Sequence, residues 1–249
     1  MKAYIITGTS RGIGEALAEQ LLMSENSVYC ISRSVNDKLE ELGATRGAKL
    51  SYYTYDLNEL TGIDHLMKKI VGSIKLEEDL EAIYLINNAG MLSPVMPIEQ
   101  CDTELIIQNV TINLLAPMIL TSRFIEMTKE LAVDKRVMNV SSGSAKFLLP
   151  AQSCYSTAKA GIDSFSKSVH LEQQHALNSV KIASVYPGMI DTHMQAEIRS
   201  TSKENFPYVD QFIKMAQDGL LQTPENTATK LLELLLSEHY GQSPLVEQL

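Results

Sequence analysis

Residues 3–22, AYIITGTSRGIGEALAEQLL, decide the fold. An apolar run from Ala3 to Thr7 leads into Gly8-Thr9-Ser10-Arg11-Gly12-Ile13-Gly14, after which Ala16, Leu17, Leu21 and Leu22 recur at helical spacing. Strand, glycine turn and helix in that order form the opening of a dinucleotide-binding unit. Glycine lets the backbone turn tightly and lets a pyrophosphate approach it, and the amide-rich start of the helix favours negative charge. Gly8, Ser10, Arg11, Gly12, Ile13 and Gly14 are therefore candidate cofactor contacts, although a glycine cluster alone is also an ordinary tight turn.

Residues 27–31 read as a second strand, and its end selects the dinucleotide. An acid near this point takes a ribose 2′-hydroxyl, whereas an arginine accommodates a 2′-phosphate. Ser32-Arg33-Ser34 stands here, so Arg33, with Arg11 or Ser10, is expected to surround a phosphate with forked donors, which favours NADPH. The first acid beyond it, Asp37, is the alternative, a ribose ligand. Residues 36–46 are helical, and 50–55 form a third strand ending at Asp56-Leu57. Asp56 either receives an adenine amino group or caps the helix expected over 59–74. A fourth strand, 82–86, runs into Asn87-Asn88-Ala89-Gly90, where small residues let a flat ring lie on the backbone while Asn side chains tie loops together.

Residues 92–97 read as an irregular loop and 102–129 as helix with interruptions, carrying Asn113. Pro117 can leave a nearby carbonyl free to hold a water. Residues 136–141 are the fifth strand and 180–186 the sixth, which ends in Pro187-Gly188-Met189-Ile190-Asp191-Thr192. Regular alternation of strand and helix predicts one α/β domain over 1–249. Its core is a Rossmann-type, doubly wound parallel sheet of about seven strands with helices on both faces. Ligands in such sheets bind at the carboxyl ends of the strands, where all these candidates fall.

A second constellation lies in NVSSGSAKFLLPAQSCYSTAKAG, residues 139–161. Tyr155 and Lys159 are four apart in a helix running to about residue 175, so they share a face. A phenol titrates near pH ~10, and a neighbouring ammonium favours its phenolate and pulls that value down. Tyr155 can then pass a proton to a substrate oxygen, which the hydroxyl of Ser142, thirteen residues upstream, can also hold. Tyr-x-x-x-Lys arises easily by chance. The separate glycine turn is what gives it weight.

Composition bounds the alternatives. Hydrophobic residues are 45% and charged residues 20%, ordinary for a soluble domain, and no window reaches ~18 uninterrupted apolar residues, so a membrane span is not expected. The first residues run into the glycine turn with too short an apolar core for a secretory signal, which points to the cytoplasm. A net charge of −9 argues against a nucleic-acid surface. Cys30, Cys101 and Cys154 lack disulfide or zinc spacing and read as reduced thiols. No metal is expected from the five histidines, of which only His193 adjoins a cofactor loop.

With these residues in view, the chain resembles the short-chain dehydrogenase/reductase family over nearly its whole length. The resemblance rests on TGTSRGIG, Asp56, NNAG at 87–90, Asn113, Ser142, Tyr155 with Lys159, and PGMIDT at 187–192. It is closest in character to the sepiapterin-reductase-like branch. INLLAPMILTS, VDKRVMNVSSG and DTHMQAEIRS are similar in phrasing to the bacterial benzil reductases that form (S)-benzoin. The resemblance implies NADPH-dependent reduction of a ketone or 1,2-dicarbonyl, with Tyr155 as proton donor and Ser142 polarising the carbonyl. It implies that Lys159 binds the nicotinamide ribose and lowers the Tyr155 pKa, that Asn113 holds a proton-relay water, and that Ile190 and Thr192 lie beside the carboxamide. The adjoining Leu57, Asn88, Ala89, Gly90, Pro187 and Gly188 complete the expected cofactor site. Thr9 departs from the Ala of many relatives.

Specificity is expected from Phe147-Leu148-Leu149-Pro150, Met91-Leu92 and a lid insertion at about 193–222 bearing Phe206, Tyr208 and Phe212. That composition suits a bulky hydrophobic dicarbonyl, or these residues only pack the lid on the body. For a pterin carbonyl, Asp191 or Glu197 would bind the amino-pyrimidine. An acyl-carrier-protein ketoreductase would share the catalytic residues and want a basic patch, of which Lys146 alone is visible. A non-catalytic NADPH-sensing protein would more naturally have lost Tyr155 or Lys159. Look-alike proteins pair helices near 113–130 and 153–175 across subunits, so a homodimer or homotetramer is expected.

Overall fold

Along β1 (Lys2–Thr7), Tyr4 and Ile6 turn to one face and Ala3 and Ile5 to the other, and all four are buried. A strand buried on both faces calls for a parallel sheet with helices on each side. A computed structural model describes residues 1–249 and has that arrangement. After β1 come α1 (Gly12–Leu21), β2 (Asn26–Ser32), α2 (Asp37–Arg46), β3 (Lys49–Thr54), α3 (Ile63–Ile74) and β4 (Ala82–Asn87). Then follow α4 (Thr103–Val110), α5 (Ala116–Thr128), β5 (Asp134–Val140), α6 (Ser153–Gln173) and β6 (Lys181–Val185). The chain ends with α7 (His193–Ser200), α8 (Val209–Gln217), α9 (Pro224–Leu236) and β7 (Leu245–Val246).

The seven strands are parallel and ordered β3-β2-β1-β4-β5-β6-β7. The chain winds outward from β1 to β3, then restarts beside β1 with β4, so the reversal lies between β1 and β4. Leu17 and Leu21 of α1, Leu39 of α2, and Leu231 and Leu235 of α9 cover one face. Met67 and Ile70 of α3 with Leu120 and Phe124 of α5 cover the other. Each such side chain contributes about 1.5–3 kcal/mol by leaving water.

The expected strands and helices are present, most with ends displaced by a residue or two; α3 starts four residues late, after a separate turn over 60–62. The last strand is the one that no apolar run announced, because it is only two residues long and is defined by its pairing with β6. The helical stretch over 102–129 is interrupted by a π turn, Thr111–Leu115, so α4 and α5 form one run, Thr103–Thr128. By length and composition that run is apolar enough to cross a membrane; Ala116, Leu120 and Phe124 on it are packed in the core. Two helices, α7 and α8, lie in the segment expected as a lid insertion, whose base is closed by a bridge between Ile190 and Gln222. The three cysteines are free.

Gly14 has no room for a side chain. A Cβ on Gly14 would overlap the Gly8 carbonyl oxygen and fall 2.5 Å from Asn88 Nδ2. Gly14→Ala should therefore cost about 3 kcal/mol or more in urea unfolding. Gly47→Ala, at φ 61° with nothing within 4 Å, should cost only about 1–2 kcal/mol of left-handed strain. Equal losses in the two variants would contradict this account of the glycine turn.

Candidate active site

Parallel strands deliver their carboxyl ends to one edge, and a cavity of about 1100 Å³ opens there. Gly8, Ser10, Arg11, Gly12 and Ile13 line it from the β1–α1 turn, Ser32 and Arg33 from the end of β2, and Asp56 and Leu57 from beyond β3. Asn88, Ala89 and Gly90 follow β4, Ser142 follows β5, and Pro187, Gly188, Ile190 and Thr192 follow β6; Tyr155 and Lys159 enter from α6. Two expected residues do not line it. Gly14 is buried against the Gly8 carbonyl, and Asn113 stands behind Met91.

The nucleotide half has the chemistry of an anion site. α1 begins at the cavity with no side chain capping its first amides. Arg11 and Arg33 make neither ion pair nor hydrogen bond, whereas Arg46, Arg123, Arg136 and Arg199 each reach a carbonyl or carboxylate. Two uncommitted guanidinium groups in a chain of net charge −9 fit a phosphate-bearing cofactor. Asp56 caps no helix: its Oδ1 accepts from the Asn58 amide at 3.0 Å and from Asn58 Nδ2 at 3.2 Å, and the turn over 60–62 and α3 start without a side-chain cap. Asn88 ties loops as expected, donating from Nδ2 to the Thr7 carbonyl at 3.0 Å.

At the other end, Lys159 Nζ donates to the Val140 carbonyl at 2.8 Å and lies 5.7 Å from the centre of the Tyr155 ring. Ser142 Oγ accepts from the Ser144 amide at 3.1 Å. For Tyr155 the direction is opposite to the expected lowering of its pKa. Burial pushes the Tyr155 phenol up, against an opposite pull from Ser142. Burial also lowers Lys159 to about 8, opposed by Asp163. In this enclosed pair, loss of hydration outweighs any attraction of ammonium for phenolate, and Lys159 is committed to a carbonyl instead.

Asn113 sits within the π turn, a feature common at functional sites. Its side chain is fully occupied: Nδ2 donates to the Met91 carbonyl at 2.8 Å and to Asn109 Oδ1 at 3.0 Å, and Oδ1 accepts the Met91 amide at 3.1 Å. The Asn113 side chain is thus spent on protein groups, and Pro117, four residues on, has no amide proton to give the Asn113 main-chain carbonyl.

The lid residues divide. Phe206 is fully buried and meets Phe212 edge-on at 5.4 Å, so it packs within its own segment, while Phe212 reaches the cavity. Phe147, Leu149, Met91 and Leu92 line the cavity; Leu148 and Tyr208 are exposed elsewhere. Asp191 is paired with Arg199 at 3.0 Å, Glu197 with Ser93, and Lys146 with Glu247 at 2.5 Å.

Several contributors escaped sequence reading. Asp163, four residues past Lys159, accepts from Ser184 at 2.5 Å and Tyr186 at 2.6 Å. Asn109 donates to the carbonyls of Leu92 at 3.1 Å and Ser93 at 2.7 Å. Their four-residue spacing from Lys159 and Asn113 was the available signal. Gln152, Gln195 and Glu247 also line the cavity and left no motif.

Fold and cleft together define a Rossmann-type nucleotide-binding oxidoreductase, and the chain belongs to the short-chain dehydrogenase family, whose model matches residues 2–203. It is 43% identical over 246 residues, 99% of this chain and 98% of the relative, to the benzil reductase ((S)-benzoin forming) of Bacillus cereus. It is 31% identical to the sepiapterin reductase of Mus musculus, covering 95% of this chain and 92% of that one. Among solved structures, the KRED1-Pglu enzyme superposes with a TM-score of 0.83 at 25% identity, over 99% of this chain and 100% of the other.

Lys159 makes stability pH-dependent. From about 8 to its ordinary value of 10.5 the unfolded chain keeps a proton that the folded chain has lost, so this group favours folding increasingly as pH rises. Between pH ~7 and ~9.5, the wild type should gain about 2 kcal/mol relative to Lys159→Met in urea unfolding. A gap that is flat or moves the other way contradicts the burial of the ammonium.

Proposed function

We propose that the chain reduces a ketone or 1,2-dicarbonyl to the alcohol with NADPH, Tyr155 donating the proton. The observation that carries this reading is the meeting of Tyr155, Ser142 and Lys159 in one cavity with the glycine turn and the unpaired Arg11 and Arg33. Gly8, Ser10, Gly12, Ile13 and the residues after β6 would hold the dinucleotide backbone, with Arg33 and Arg11 at its 2′-phosphate. Bound NADPH would supply the hydride.

The raised Tyr155 pKa keeps the phenol protonated at neutral pH, which suits an acid that must give its proton to a developing alkoxide. Ser142 accepts from the Ser144 amide, so its own proton is available for the same oxygen, a preorganised donor that needs no rearrangement. Lys159, near pH 8, can return a proton toward Tyr155 with the Asn113 carbonyl holding a relay water. Phe147, Leu149, Met91, Leu92, Met194 and Phe212 give the substrate end an apolar wall, which supports an aromatic diketone such as the benzil in the Bacillus relative's name.

Other readings have less support. Both acids considered for a pterin are already engaged, by Arg199 and Ser93. Lys146 is neutralised by Glu247, which leaves no basic patch for an acyl carrier protein. Tyr155 and Lys159 are both in place, unlike in a sensor that has lost catalysis. Exposed Ile107, Leu115 and Leu171 on α4, the π turn and α6 support pairing into a homo-oligomer.

Following NADPH absorbance with benzil, other 1,2-diketones, sepiapterin and acetoacetyl thioesters tests the reaction. Tyr155→Phe should bind NADPH normally yet turn over at least ~100-fold more slowly; near-normal turnover overturns the assignment. Arg33→Ala should raise KM for NADPH roughly tenfold and leave KM for NADH in place, the loss of a charge-assisted contact. Parallel changes with both cofactors would refute the phosphate clamp.

A further inference from the structure

Gln152 is the residue before α6, three ahead of Tyr155, and is 2% exposed. It lines the cavity, and its side chain does not cap its own helix. Oε1 accepts from Ser144 Oγ at 3.4 Å, and the Ser144 amide in turn donates to Ser142 Oγ at 3.1 Å. This fixes the amide on the loop that carries Ser142. Nε2 donates to no protein group and stays accessible from the cavity, so an oriented N–H pair on an otherwise buried side chain is left for whatever enters beside Ser142.

An unsatisfied donor of this kind is costly when desolvated, so a ligand gains by meeting it with an oxygen. The same cavity has apolar walls from Phe147, Leu149 and Leu92. Of the charges nearby, Lys146 pairs with Glu247 and Arg199 with Asp191, while Lys159 donates to the Val140 carbonyl. A neutral oxygen fits this apolar surrounding, where a carboxylate would lose more hydration than one amide donor restores.

We propose that Gln152, aligned by Ser144, is a specificity-determining residue that donates an N–H to the second oxygen of a vicinal dicarbonyl while the first lies between Tyr155 and Ser142. The proposal rests on the carbonyl-reductase reading and adds to it a preference for neutral 1,2-dicarbonyls over monoketones and 2-oxo acids. A site built to bond an oxygen rejects the analogue that lacks it, because the donor is then stranded.

The test compares kcat/KM for benzil, deoxybenzoin and benzoylformate in the wild type, in Gln152→Met and in Ser144→Ala, with NADPH affinity measured in parallel. The wild type should favour benzil over both others. Gln152→Met should shrink the benzil-over-deoxybenzoin ratio roughly tenfold, the worth of one hydrogen bond, with NADPH affinity retained. Ser144→Ala, which frees the amide without removing it, should move the ratio the same way by less, and it serves if Gln152→Met does not fold. A ratio unmoved in the folded variants, or both ketones falling together, overturns the role of Gln152 alone. A wild type that prefers benzoylformate does the same. No NADPH oxidation by the wild type with any ketone overturns the reductase reading as well.

Discussion

Thr7 and Asn88 join the ends of β1 and β4 at the point where the sheet reverses direction. Thr7 Oγ1 accepts the amides of Asn88 and Ala89, each at 3.0 Å, and Asn88 Nδ2 reaches back to the carbonyls of Thr7 and Gly8 at 3.0 and 3.3 Å. Helices on opposite faces diverge there, and the crevice between them is the cavity. Every other feature of the site is referred to this seam. Gly8 and Gly14 must lack side chains because the Asn88 amide and backbone occupy the space, and the glycine turn thereby presents its amides outward.

Burial sets the chemistry at the opposite end. Lys159 and Tyr155 are 5% and 7% exposed, and both are displaced toward their neutral forms by lost hydration. For a reductase this is useful, since a neutral phenol is the form that gives a proton. Asp163 supplies the compensating negative charge behind Lys159 and is itself satisfied by Ser184 and Tyr186. Polar groups in this core are thus paired in series, from β6 through α6 to the cavity. The pair Asn109 and Asn113 does the same for the loop over 91–93, using side chains on the helix to satisfy backbone groups that no strand partner reaches.

The layered α/β architecture and most residues on the cavity wall were legible in the chain because they depend on local periodicity and on short motifs at strand ends. The glycine turn, NNAG, Ser142, Tyr155 with Lys159, and the loop after β6 each announce themselves within a few residues. Gln152 and Glu247 do not, since nothing around them distinguishes a cavity residue from a surface one. The fate of the lid aromatics was equally hidden: Phe206 and Phe212 are six apart in similar surroundings, yet one is enclosed and the other reaches the ligand space.

By itself, then, the sequence determined which backbone turns, which faces are apolar and which reactive groups are available. Only the tertiary structure decided how those groups are hydrated and partnered: that Lys159 bonds Val140, that Asn113 spends its amide on Met91, that Lys146 is cancelled by Glu247. The reason is physical. Helical and extended periodicities are properties of neighbours along the chain, whereas desolvation and charge pairing depend on atoms brought close from distant positions, in the last case 101 residues apart.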